Sequence, residues 1–77
     1  MTRATLLISA GVILFGPYFK SELANTLDAD LRELRKWCAG SKPIPEWVIG
    51  EVRKLLTERR AALNNLILAF EPESADV

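Results

Sequence analysis

Apolar side chains recur along this chain at steps of three and four residues, the period of a helix buried on one face. Four such stretches are visible. The first, residues 3–15, is almost wholly apolar and is stopped by Gly16-Pro17, a pair that ends helices and starts turns. The second, residues 18–27, carries Phe19, Leu23, Ala24 and Leu27. After a short turn at Asp28-Ala29, the third covers residues 30–39. Gly40 to Pro45 reads as a loop, with Gly40 as a C-terminal cap and two prolines that bar a helix. A long fourth helix is predicted over 46–70, and residues 71–77 form an acidic, flexible tail. No strand-like alternation interrupts the series. The chain therefore reads as one all-α domain over residues 1–70, a compact bundle of four or at most five helices ending in a long C-terminal one.

Two faces of the third helix differ sharply. Asp30 can accept from the free N–H groups of its first turn and Glu33 can reach back, a capping box. Leu34, Trp37 and Cys38 then share one face, and Arg32, Arg35 and Lys36 share the other. On the fourth helix Val48, Val52, Leu55, Leu56, Leu63, Leu66, Ile67 and Phe70 make a broad stripe. Three short helices can cover only its first half. The remainder, Leu63, Leu66, Ile67 and Phe70, is expected to be a dimer interface.

Composition narrows the chemistry. The 77 residues hold ten basic and ten acidic side chains, one cysteine and no histidine. An intrachain disulfide is impossible, a Cys/His zinc site is excluded, and a lone thiol fits a reducing compartment. Cys38 lies on the apolar face with no histidine to activate it, so it reads as a buried small apolar residue. Trp37 and Trp47 read as core or loop-packing residues, and Arg59-Arg60 as a solvated pair. No phosphate-cradling glycine loop, Ser/His/Asp set or paired catalytic carboxylates are present, so no enzymatic activity, cofactor, metal or small-molecule substrate is expected. Net charge is zero, but it is unevenly spread: residues 1–60 carry +3 and the tail −3. The apolar run from Ala4 to Phe15 falls short of the roughly 20 residues that cross a bilayer. It lacks a small-x-small cleavage site, so it is expected to be a buried first helix, not a targeting segment or anchor.

The stretch Leu14 to Pro45, LFGPYFKSELANTLDADLRELRKWCAGSKPIP, covers a little under half of the chain. It resembles the helix-turn-helix of the lambda-repressor/Cro-like class. It is especially similar to small phage-type and prophage-type regulators with the pattern LYG-x-x-W-Q-S-x-L-A-x-x-L-G-V-S-D-R-T-V-R-R-W-x-x-G-x-x-P-I-P. Ser21 to Ala24 occupies the family's Ser-x-Leu-Ala, and Lys20 stands where Gln is common. Asp28 replaces the glycine of the turn, Phe19 replaces Trp, and Leu31 and Glu33 replace polar residues of the third helix.

The resemblance implies a transcriptional regulator, phage-like or of a mobile element. It would bind double-stranded operator DNA in the cytoplasm, on the nucleoid, as a homodimer. Leu31, Arg32 and Arg35 would face bases in the major groove, and Lys20, Ser21, Lys36, Ser41 and Lys42 the backbone. A second class stays open beside it: a protein-interaction module, such as a small inhibitor or adaptor, on the same scaffold. Zero net charge, Leu31, Asp28, Glu33 and the apolar end of the last helix motivate that reading. A secreted or membrane-tethered peptide is a third class.

Overall fold

The computed structural model describes residues 1–71. Four helices follow one another: α1 (Arg3–Phe15), α2 (Lys20–Leu27), α3 (Leu31–Ala39) and α4 (Glu46–Ala69). The all-α class and the long C-terminal helix agree with the sequence pattern. Element bounds differ from the pattern by two residues at most, at the start of α2. There Phe19 serves as the N-cap, its carbonyl accepting from Leu23 N–H at 2.8 Å. Of the predicted tail, residues 72–77 lie outside the described residues.

Local chemistry sets each end. Thr2 caps α1, its Oγ1 accepting from Thr5 N–H at 3.1 Å. Both α2 and α3 close on a left-handed residue. At α2 the Asp28 N–H donates to Asn25 O and the Ala29 N–H to Ala24 O. At α3 the Gly40 N–H donates to Trp37 O and the Ser41 N–H to Lys36 O. Each pair of bonds satisfies carbonyls that a helix end otherwise leaves without donors. Pro45 precedes the first residue of α4 in an extended conformation, which suits a helix start.

Helix α1 is the hub, packing against α2, α3 and α4, while α2 also packs on α3. The core unites Leu7 and Ala10 of α1, Phe19, Leu23, Ala24 and Leu27, then Leu34, Trp37 and Cys38 of α3, and Ile44, Val48 and Val52. Leu23, Leu34 and Val48 are fully enclosed. Near this centre Gly11 lets the Phe19 ring come against the α1 backbone.

Two features depart from a compact bundle with a buried first helix. Helix α1 buries only one face; Leu6, Ile8, Val12 and Ile13 are exposed on the others. Helix α4 buries Val48 and Val52 and half-buries Leu55 and Leu56, then runs on with every residue from Arg60 to Phe70 exposed. The molecule is therefore 55 Å long and about 20 Å across. Its radius of gyration is 15.6 Å, against roughly 11 Å expected for a compact chain of this length.

Long-range polar contacts fix the direction of α4 against α1. Arg3 pairs with Glu46 where the two helices begin. Arg59 Nη2 donates to Leu14 O at 3.1 Å, near the end of α1. The helices thus run parallel. Arg59 is half-buried and supplies positive charge to a helix C-terminus, so it is not half of a solvated pair.

Candidate nucleic-acid interface

The α2–turn–α3 unit is short and locally determined. Eight residues of α2 and nine of α3 flank Asp28, Ala29 and Asp30. Asp28 holds φ 55° and ψ 43°, the left-handed turn conformation where the resembling pattern has glycine. Asp30 then caps α3, its Oδ1 accepting from Arg32 N–H at 2.7 Å. The other half of the expected capping box is absent. Glu33 reaches instead to Lys42 Nζ, at 2.5 Å, with Lys36 Nζ at 3.9 Å. An ammonium in reach outcompetes a backbone amide for the carboxylate, because a charged donor makes the stronger bond.

Helix α3 keeps the two faces read from its sequence. Leu34, Trp37 and Cys38 are buried, and Arg32, Arg35 and Lys36 are exposed on the opposite side. Trp37 meets the half-exposed Trp47 edge-to-face, with ring centroids 6.4 Å apart, so these indoles pack α3 against the start of α4. Burial pushes the Cys38 thiol above its ordinary range, with the Lys20 charge opposing that in part. Cys38 is therefore a packed, unreactive thiol.

The predicted base-facing residues do not stand alike. Arg32 and Arg35 are exposed with free reach, whereas Leu31 is half-buried and packs against the core. Among the predicted backbone contacts, Lys20 and Ser21 are exposed in the first turn of α2. Ser41 Oγ donates to Lys36 O at 3.3 Å, and Lys42 is tied to Glu33. Both lie in the loop that follows α3: Ser41 is bonded near the C-terminal end of that helix, while Lys42 folds back to Glu33 in its first turn, where Lys36 also reaches. The cationic surface is thus divided. Among the described residues Arg32 and Arg35 make no ion pair, while Lys36 and Lys42 share one carboxylate. Sequence spacing places Lys36 beside Glu33 on α3, but nothing local in the sequence signals that Lys42, nine residues on, folds back to it.

The four residues assigned to a dimer interface are all open. Leu63, Leu66 and Ile67 are half exposed or more, and Phe70 is 80% exposed. Among the described residues no single helix is long and apolar enough to cross a membrane. No family model matches the chain, and no curated protein or solved structure matches it.

Proposed function

We propose that the protein is a small sequence-specific DNA-binding regulator of phage or mobile-element type, acting in the cytoplasm on operator DNA as a homodimer. The observation that carries this reading is the joint placement of Arg32 and Arg35. They stand exposed on a nine-residue helix anchored from behind by Leu34, Trp37 and Cys38, next to a tight turn. A helix held that way can enter a major groove with its N-terminal part against base edges. Arg32, in the first turn, is the residue for a bidentate contact to guanine, and Arg35 serves a base or a phosphate. Lys20 and Ser21 sit at the N-terminus of α2, where free N–H groups favour a phosphate. The likeness of Leu14 to Pro45 to phage-type regulators supports the same role.

The test is enrichment of genomic fragments by the purified protein, then titration of any enriched site at two salt concentrations. Recovery of a short palindrome, bound more weakly as salt rises, is the expected result. Arg32→Ala should then weaken that site by about 1–3 kcal/mol with the fold intact. No enrichment from a folded dimer would overturn the reading.

One observation favours a second function. Glu33 neutralises part of the cationic face, and the chain has no net charge. A protein-interaction module on this scaffold would show stable complexes with a protein and only salt-labile DNA affinity. Specific DNA binding at physiological salt would exclude it.

A further inference from the structure

Helix α4 carries an apolar stripe that is symmetric about its own midpoint. Ile49, Val52, Leu56, Leu63, Ile67 and Phe70 follow one another at steps of three, four, seven, four and three residues. At about 100° per residue these six lie on one face, over about 32 Å of helix. The midpoint falls between Arg59 and Arg60.

The two halves of the stripe have different surroundings. The first half, with Leu6, Leu7 and Ala10 of α1, lines an open groove between the parallel α1 and α4, of about 240 Å³ and almost wholly apolar. Arg53 is its one charged wall residue. Ile13 continues the Leu6–Ala10 face of α1 one turn further and is 66% exposed. The second half, Leu63 to Phe70, is exposed throughout, with nothing packed on it among the described residues.

We infer that the groove receives the projecting end of α4 from a second copy of this chain, and that the exchange is reciprocal, with the two α4 helices antiparallel. A two-fold contact demands that one patch complement itself, so residue i meets j while j meets i. The stripe meets that demand in register. Ile49 faces Phe70 of the second copy, Val52 faces its Ile67, and Leu56 its Leu63. Leu66, on the flank nearer α1, falls beside Leu6 and Ile13. Burying Leu6, Ile13, Leu63, Leu66, Ile67 and Phe70 would remove on the order of 700 Å² per copy, close to the ~800 Å² per partner of a standard specific interface. The inference rests on the homodimer of the reading above and adds its geometry; it does not depend on DNA binding.

The arginines at the midpoint provide a signature. Arg59 is turned onto the Leu14 carbonyl of its own chain. Arg60 is exposed and, like Arg59, lies next to the symmetry axis, but on the flank away from α1, so the Arg60 side chains of the two copies come side by side across the seam. Like charges so placed oppose assembly, and salt screens them.

The test is made without DNA. Sedimentation should show a dimer that tightens as salt rises, and Arg60→Leu should tighten it several-fold. Mild oxidation should link Arg60→Cys chains to each other but not Phe70→Cys chains, because Phe70 residues lie at opposite ends of the antiparallel pair. Both positions are exposed and Cys38 is buried, so neither variant disturbs the core and the added thiol is the reactive one. A monomer at all concentrations would overturn the dimer itself. A dimer in which Phe70→Cys links readily, or in which neither variant links, would overturn the antiparallel exchange and leave a homodimer of another geometry.

Discussion

Gly11 and Phe19 are in contact so close that a Cβ on Gly11 would stand 2.1 Å from Phe19 Cδ2. This approach seats α2 on α1, because Phe19 is the N-cap of α2 and is itself only 3% exposed. Gly11→Ala forces the ring or the helix to move. Overpacking of this kind costs about 1–3 kcal/mol, which exceeds alanine's advantage of about 1 kcal/mol in helix propensity. Urea denaturation should show the loss. Combining it with Phe19→Leu, which vacates the space, should cost less than the two changes summed.

Asp28 is the one non-glycine residue with positive φ among those described. Among the described residues its side chain has no hydrogen-bond partner that would offset the conformation. Asp28→Gly should therefore stabilise the fold by about 1 kcal/mol, the scale of the left-handed penalty. The midpoint in urea should rise without a change in slope. An unchanged or lower midpoint would mean the turn is held by something other than backbone preference.

Glu33 holds back two of the cations assigned to DNA. Glu33→Gln keeps the shape and frees Lys36 and Lys42. Nonspecific DNA affinity should rise, and the dependence of log affinity on log salt should steepen by as much as about two, near 0.9 for each phosphate newly neutralised. If affinity and slope stay the same, these lysines do not meet phosphates. The fold should barely change, since exposed ion pairs contribute about 0–1 kcal/mol.

The Cys38 thiol gives a pH signature. Its folded-state pKa is raised, so the unfolded chain ionises first as pH climbs. The contribution of this thiol to stability is complete below the ordinary thiol range and is lost as pH rises through the raised folded value. Stability at alkaline pH should fall more in the native protein than in Cys38→Ala, and a thiol reagent should modify Cys38 slowly at neutral pH.

What sequence reading recovered follows from the range of the interactions. Gly16-Pro17, Gly40 with its prolines, and the steps of three and four among apolar residues are local signals, and they placed all four helices. The opposed faces of α3 came from the same arithmetic. Missing were contacts between residues far apart in the chain. Arg59 finds Leu14 across 45 positions, and Lys42 finds Glu33 around a helix cap. A basic residue beside an apolar stripe looks solvated until the carbonyl end of another helix is known to lie against it. The exposed faces of the first helix have a similar origin. Its uniformly apolar character suggests complete burial, but two short helices and one side of α4 cannot surround a cylinder. The glycine inside α1 was the available hint that another element comes close there.

Helix α1 is the main wall shared by the α2–α3 pair and the shaft of α4, with the Trp37–Trp47 contact also joining α3 to the start of α4. In any dimer assembled through α4, the span between the two exposed arginine faces is therefore set largely by the seating of α1. On the proposed DNA-binding reading, the choice of base would reside in α3, and the permitted separation of half-sites some distance away, in Leu7, Ala10 and Gly11. Substitutions along that seam should retune the ruler and leave the alphabet unchanged.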